Sequence, residues 1–176
     1  SLEALKAYTM GSERNRQGKP MEGLPFAKRA IELDPNFAEA YSLLSVLYNN
    51  TRQSALAAEA QQKAFELRDR ASEFEKLLIT AGYYQRVTGE IHKAIEVWEI
   101  LKQNYPRDRI VRANLGDRYA AIGQDEKAHE EARELLRFDP TAVGLSVNTH
   151  LRLNHFAEAK SLGEQAIAQK VDSVST

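Results

Sequence analysis

The chain has 176 residues, and its 24 Lys and Arg nearly balance its 25 Asp and Glu, so the formal net charge is −1. This balance gives no bulk electrostatic reason to expect nucleic acid or an anionic membrane as a partner. Apolar residues make up 43 %, enough for a continuous core, yet no apolar run approaches the roughly 18 residues of a membrane span. The absence of cysteine excludes disulfides, thiolate metal sites and cysteine nucleophiles, and it fits a reducing, cytoplasmic compartment.

The stretch AIELDPNFAEAY at residues 30–41 predicts the end of one helix and the start of the next. Proline lacks an amide proton and restricts the residue before it, so Asp34 and Pro35 should end the first helix. We expect Asn36 to cap the following helix and Glu39 to reach back to Asn36. The same corner returns as FDP at residues 138–140 and, in weaker form, as NYP at residues 104–106.

Small and turn-forming residues recur along the chain at a fixed spacing. Pro106 and Pro140 are 34 residues apart. Further pairs at the same shift are Gly82 and Gly116, Gly89 and Gly123, Ala94 and Ala128, and Leu101 and Leu135. A fixed period of this length is typical of helical repeat proteins, in which each short unit completes the core of its neighbour.

The segment NLGDRYAAIGQDEKAHEEARELLRFDP at residues 114–140 resembles the tetratricopeptide repeat, a helix–turn–helix unit of 34 residues. The matching residues are Leu115, Gly116 and Tyr119 in the first helix, Gly123 at the turn, Ala128 where the helices touch, and Pro140 at the end. The resemblance covers essentially the whole chain. It implies an all-α fold of about five repeats, with about ten antiparallel helices stacked into a right-handed superhelix.

We expect a single array with repeats at about 1–36, 37–71, 72–108, 109–140 and 141–170, followed by a frayed tail over residues 171–176. In the first repeat, Ala7, Met10 and Gly11 should form the first helix's contact face, with Gly18 at the turn. A proline inside a helix costs about 3 kcal/mol, so the second helix should begin near Leu24. Gly23 and Pro25 therefore argue against a helix over residues 17–23.

The second junction and the last repeat depart from the pattern. Asp69 replaces the closing proline of the second repeat and three extra residues follow. At this insert Ser72 and Glu75 form a capping box. This predicts a longer first helix in the third repeat. In the fifth repeat we expect helices near 143–153 and 156–168. No polar capping helix is evident after residue 168, so we expect the parent protein or a dimer partner to cover the last pair.

Motifs for catalysis or cofactor binding are not supported. Six residues separate Gly11 from Gly18, and Pro20 follows Lys19. A phosphate loop needs four residues between its glycines and a Ser or Thr after its lysine. The four histidines lack the spacing of a zinc-peptidase helix, and we expect surface or interhelix hydrogen bonds for all of them. We therefore predict no enzyme activity, no cofactor and no metal site. The four histidines are His92, His129, His150 and His155.

Charged runs in the fourth repeat predict solvated faces. Carboxylates such as Glu130 and Glu131 alternate with Lys127 and Arg133, which disfavours an acid–base pair. The basic stretch before Tyr119 is interrupted by aspartates, whereas nucleic-acid surfaces are usually continuous. The arginines of this stretch are Arg107, Arg109, Arg112 and Arg118, interrupted by Asp108 and Asp117.

The resemblance implies that the first helices of the repeats line a concave face. We expect these side chains there: Tyr8, Ser12, Asn15, Arg16, Val46, Asn49, Asn50, Ile79, Tyr83, Arg86, Asn114 and Asp117. Tyr8 and Tyr83 should point to the groove rather than into the stack. Asparagine can hold a peptide backbone through both its donor and its acceptor, and arginine can bind a carboxylate. The alternative, a solvated concave face without a specific ligand, stays open.

We predict a non-catalytic scaffold that binds a protein or an extended peptide. The sequence is also similar to arrays attached to bacterial serine/threonine protein kinases, and similar arrays follow winged-helix transcriptional regulators. This resemblance suggests the sensory or regulatory region of a larger signalling protein. No kinase loop motif is present. The sequence begins at Ser1, so we expect a segment of a longer protein or one trimmed at its start. The alternative is an oligomerisation or structural module, with a homodimer through the uncapped last helix.

Overall fold

The structure is a computed structural model that describes residues 1–174, with side chains described through residue 168. In this part of the chain the regular elements are all helical, which confirms the all-α prediction. The α-helices are α1 (Leu2–Arg16), α2 (Pro20–Leu33), α3 (Ala38–Asn50), α4 (Ser54–Leu67), α5 (Glu73–Tyr83), α6 (Ile91–Asn104), α7 (Arg109–Ala121), α8 (Asp125–Phe138), α9 (Val143–Arg152) and α10 (Phe156–Val174). None of the described helices is both long and apolar enough to cross a membrane.

The chain divides into two compact units. The N-terminal unit runs from Ser1 to Val97, and the C-terminal unit begins at Trp98, so the border lies within α6. In the N-terminal unit α1 packs on α2, α3 on α4, and α4 on α5. In the C-terminal unit α7 packs on α8, α8 on α9, and α9 on α10. Each unit is thus a series of antiparallel helix pairs joined by short turns.

The second helix begins earlier than the sequence predicted. α2 starts at Pro20 rather than near Leu24, and Pro25 lies inside it. Pro20 occupies the first turn, where a missing amide proton loses no helical hydrogen bond. Pro25 is exposed, so its ring faces away from the core. The opposite face of α2 buries Gly23, Ala27 and Ala30, and this packing holds the helix despite Pro25.

The corner at Asp34 is also built differently from the prediction. Asp34 accepts a hydrogen bond from the Asn36 amide at 3.1 Å, and Phe37 is the N-cap of α3 without a side-chain bond. Asp139 makes the same turn, accepting from the Thr141 amide at 3.0 Å. Aspartate commonly bonds the backbone two residues on, which fixes the turn locally. The predicted cap by Asn36 was therefore wrong, and the aspartate before proline is the organising residue.

Each of the turns within a helix pair contains one residue in the left-handed conformation. Gly18, Gly89 and Gly123 have φ of 72°, 72° and 75°, as expected for glycine at these turns. Arg52 and Asn154 take the equivalent places with φ of 61° and 60°. The backbone geometry of the turn is thus retained where its glycine is replaced.

The core is built from small and branched residues, with one predicted member outside it. In the N-terminal unit Leu43, Leu44 and Leu47 pack with Ala27 and Ala60. α1 contributes only small buried residues, and Met10 is 49 % exposed, so its predicted core position was wrong. The reason is the close approach of α1 to α2, which leaves no room for a long side chain between them.

The junction after α4 contains a break in regular helix geometry. Ser72 accepts from the Glu75 amide at 3.3 Å, which confirms the predicted cap. α5 is followed by a π-helical segment, Tyr84–Thr88, so the predicted longer helix is an α-helix with a π extension. Gly82 lies just before this segment, and a Cβ there would be 2.7 Å from the Gln61 amide nitrogen.

The last helix pair begins where the sequence predicted. α9 starts at Val143 and α10 at Phe156. α10 continues through Val174, beyond the predicted end at residue 168. The predicted frayed tail therefore overlaps helix up to Val174, and residues 175 and 176 lie outside the described residues.

Candidate peptide groove

The first helices of the N-terminal unit lie side by side, α1 against α3 and α3 against α5. The last turns of α1 and α3 are joined by a hydrogen bond from Asn50 Nδ2 to Asn15 Oδ1 at 2.9 Å. Asn50 is exposed and Asn15 is half-buried. The bond uses one amide group of each side chain, so the other group of each can meet a further partner.

Four more predicted residues surround this asparagine pair in sequence. Ser12 and Val46 are half-buried, and Asn49 and Arg16 are exposed. Arg16 forms an ion pair with Glu13 on its own helix. We call the six residues of these two helix ends the asparagine patch: Ser12, Asn15, Arg16, Val46, Asn49 and Asn50. The patch is polar, accessible and formed by two neighbouring first helices.

Tyr8 contributes to packing more than the sequence predicted. Its ring lies 5.3 Å from the Phe37 ring, centroid to centroid, and it packs against both buried clusters of the first two helix pairs. Burial, helped by the nearby carboxylates of Glu75 and Glu39, raises the pKa of Tyr8 to about 12. The prediction that this tyrosine points away from the stack was therefore wrong.

Tyr83 is likewise engaged with a neighbouring helix. Its ring stacks on Phe65 of α4, with centroids 3.9 Å apart and planes 13° from parallel. The Arg68 guanidinium lies 3.8 Å from the centroid of the same Phe65 ring. Tyr84 meets Tyr83 edge-on at 5.9 Å. These contacts hold Tyr83 half-buried at the end of α5, against its predicted orientation away from the stack.

Two further candidates belong to a buried polar contact. Ile79 is fully buried, so its prediction as a groove residue was wrong. Its carbonyl accepts from the side-chain amide of Gln61 at 2.9 Å, and Gln61 is itself fully buried. Arg86 of the π-helical segment donates to Gln61 Oε1 at 3.5 Å. Gln61 thus ties α4 to α5 and to the π segment, a role that its position in an alanine-rich helix did not reveal.

The remaining two candidates lie on α7 of the C-terminal unit. Asn114 donates from Nδ2 to the Ile110 carbonyl at 2.8 Å, so its donor bonds its own helix. Asp117 is exposed one turn further along. The structure therefore joins Asn15 to Asn50, places the other four patch residues on the same two helices, and describes Asn114 and Asp117 in a separate unit.

Sequence reasoning missed a buried ion network in the C-terminal unit. Glu131, predicted on a solvated face, is 4 % exposed. It accepts from Arg112 at 2.6 Å and from Lys102 at 2.9 Å. Lys102 also pairs with Glu99, which accepts from the Tyr119 hydroxyl. The signal was available, because residue 131 falls on the same helical stripe as the buried Ala128, Ala132 and Leu135.

Three surface cavities of about 360, 400 and 530 Å³ are lined by described residues other than the groove candidates. Among the described residues, no group of three or more His, Asp or Glu side chains is arranged to hold a metal ion. The asparagine patch is thus an open polar surface. Such a surface suits an extended chain better than an enclosed small molecule.

Comparison with known families and structures agrees with the fold. The tetratricopeptide repeat family model matches residues 26–62, which span the Asp34 corner from α2 into α4. The sequence has no significant match among curated proteins.

Solved structures with the same fold include a thermophilic tetratricopeptide repeat protein of Thermus thermophilus. It is 18 % identical, with a TM-score of 0.74 over 94 % of this chain and 91 % of that chain. A Podospora anserina putative kinesin light chain with tetratricopeptide-like repeats is 14 % identical, with a TM-score of 0.62 over 97 % and 96 %. MamA from Desulfovibrio magneticus is 18 % identical, with a TM-score of 0.59 over 97 % and 96 %. At these identities the likeness concerns the fold alone.

Proposed function

We propose that this chain is a non-catalytic interaction scaffold that binds a protein segment in extended conformation. The binding surface is the asparagine patch, and the observation that carries the proposal is the Asn15–Asn50 hydrogen bond between neighbouring first helices. A peptide backbone offers alternating donors and acceptors, and two side-chain amides can meet it without selecting a sequence. The tetratricopeptide fold supports protein binding in general.

The other groove candidates have different roles in this proposal. Tyr83 and Arg86 lie at the α5 end of the same series of first helices, where they would contact a ligand that extends beyond α3. Tyr8 has a packing role through its contact with Phe37. Asn114 and Asp117 would form a second contact region on the C-terminal unit. Ile79 has no part, because it is buried.

The proposal is tested by selecting peptides from a displayed random library against the immobilised chain and measuring their affinity by fluorescence anisotropy. The double variant N15A/N50A should weaken binding by about tenfold or more, because both amides are lost. It should keep the helical circular dichroism spectrum. The matched control is Asn148→Ala, an exposed asparagine of α9, which should bind like the unmodified chain. Equal binding by N15A/N50A and the unmodified chain would reject the patch as the site.

A second candidate function is an oligomerisation module without a groove ligand. Exposed apolar side chains at both ends of the chain favour it. At the first helix pair these are Leu2, Leu5 and Met21, and at the last pair Leu151, Phe156 and Ile167. This alternative is supported if light scattering gives a dimer that F156E/I167E converts to a monomer and if no selected peptide binds.

The finer assignment is that the chain is the sensory or regulatory part of a longer cytoplasmic bacterial signalling protein. It rests on the similarity of the sequence to arrays attached to serine/threonine kinases. Any kinase activity would then belong to another domain. The reading frame upstream of Ser1 tests this directly, since a kinase or a winged-helix domain there supports it and an unrelated domain rejects it.

A further inference from the structure

Three of the four histidines meet in the C-terminal unit, although α8, α9 and the turn before α10 supply one each. The ring centroids of His129 and His150 are 4.4 Å apart, and His155 lies 6.3 Å from His129 and 5.7 Å from His150. Three neutral rings at these distances pack favourably, whereas imidazolium rings repel one another. The fourth histidine, His92, is exposed and stands outside this histidine cluster.

The hydrogen bonds around His129 define its tautomer. Thr149 is buried and donates its hydroxyl proton to the Ser146 carbonyl at 3.0 Å. The same hydroxyl oxygen lies 3.1 Å from His129 Nδ1. With that proton donated to Ser146, Thr149 accepts from His129, and this arrangement favours the neutral tautomer with the proton on Nδ1. In that tautomer the acceptor nitrogen of His129 is Nε2.

The ring of His150 lies next to both other rings of the cluster. Its Nδ1 is buried and has no hydrogen-bond partner in the described part of the chain.

The charged groups that act on His129 disfavour a positive charge on its ring. From α8, Arg133 adds a further positive charge near His129, and Asp125 is already paired with Arg152 of α9 at 2.5 Å. From α10, Glu158 lines a cavity of about 530 Å³ together with His150. Burial lowers the pKa of His129 below its ordinary value, and His150, His155 and Arg133 lower this pKa further.

We propose that the histidine cluster is a pH-sensitive clasp that holds α8, α9 and α10 together at neutral pH and loosens them on acidification. The unfolded chain binds a proton at His129 more readily than the folded chain does. Stability is therefore full above the ordinary histidine pKa of about 6.5 and falls as the pH decreases below it. The clasp does not depend on the proposed groove.

The test compares the full chain with the variant H150Q/H155Q, with EDTA present to exclude adventitious metal. Tm is measured at about pH 7.5 and pH 5.5, on either side of the ordinary histidine pKa. The drop in Tm between these two pH values should be larger for the unmodified chain than for H150Q/H155Q, by on the order of 3 °C. Acidification also protonates carboxylates elsewhere, so the difference between the two proteins is the relevant quantity. The matched control is His92→Gln, which should keep the full drop because His92 is exposed.

A second readout keeps the proposal falsifiable if H150Q/H155Q folds poorly. In the unmodified chain, NMR titration should give the His129 ring a midpoint below the ordinary histidine pKa of about 6.5. His155→Gln alone, at an exposed position, should raise the His129 midpoint. An equal drop in Tm for the unmodified chain and H150Q/H155Q, or a His129 midpoint at or above about 6.5, would overturn the clasp.

Discussion

The left-handed residue at each interhelix turn shows how one backbone angle limits residue choice. A side chain with a Cβ is disfavoured in this conformation by about 1–2 kcal/mol, and glycine avoids that penalty. Three of the described turns use glycine, whereas Arg52 and Asn154 accept the strain. Asparagine tolerates the conformation better than arginine does, so Arg52 is the more strained of the two.

Replacing Arg52 with glycine should therefore stabilise the chain. The expected gain is about 1 kcal/mol, reduced somewhat by the greater freedom of glycine in the unfolded chain. Urea unfolding followed by circular dichroism measures it. The converse change, Gly123→Ala, should lose a similar amount. A neutral or destabilising Arg52→Gly would show that the arginine side chain has a stabilising contact at the turn.

Glu131 is a residue whose charge matters because it is buried between two cations. The variant E131Q keeps the shape of the side chain but leaves Arg112 and Lys102 without their shared carboxylate. Breaking a buried ion pair from one side typically destabilises a protein by about 3 kcal/mol or more. Thermal unfolding should show this loss, whereas the exposed neighbour variant E130Q should change stability by less than about 0.5 kcal/mol.

At the scale of elements, close contact between two helices requires glycine at particular positions. A Cβ at Gly23 would lie 2.9 Å from Leu47 Cδ2 and 3.0 Å from the Gly11 carbonyl oxygen. The first helix pair therefore depends on two glycines facing each other across α1 and α2. This contact also explains why α2 extends through residues where proline and glycine argued against a helix.

Gly23→Ala should accordingly destabilise the N-terminal unit, although alanine is the better helix former. Overpacking at a backbone contact typically costs about 1–3 kcal/mol. Gly163 of α10 provides the matched control, because nothing lies within 4 Å of a Cβ there. Gly163→Ala should be neutral or stabilising by up to about 1 kcal/mol. If urea unfolding gives both variants the same sign, the close contact does not govern the first helix pair.

The helices were predictable from spacing, while local details depended on contacts that spacing does not reveal. The 34-residue period related the turns at Gly89 and Gly123, because turn geometry recurs with the repeat. It did not reveal that Asp34 rather than Asn36 forms the corner, since both residues can bond a nearby amide. Ile79 was misplaced because it packs in a buried cluster with Ala38 of α3 and Ala64 of α4.

At the scale of the whole molecule, near-neutral charge and the repeat fold direct attention to surfaces rather than to a catalytic cleft. The resemblance to the tetratricopeptide repeat implied that the first helix of each pair lines the groove, and hence the asparagine patch on α1 and α3. It did not indicate that Tyr8 and Tyr83 are engaged in packing, or that three histidines from separate elements meet. These features arise from side-chain contacts between helices that are distant in sequence.

The central claim is that an extended ligand binds across the last turns of α1 and α3. NMR chemical-shift mapping with a peptide selected against the chain tests it most directly. The largest shifts should fall on the side-chain amides of Asn15, Asn49 and Asn50, with smaller shifts on Tyr83. Shifts confined to the second helices α2 and α4, or to the exposed apolar residues of α10, would contradict the claim.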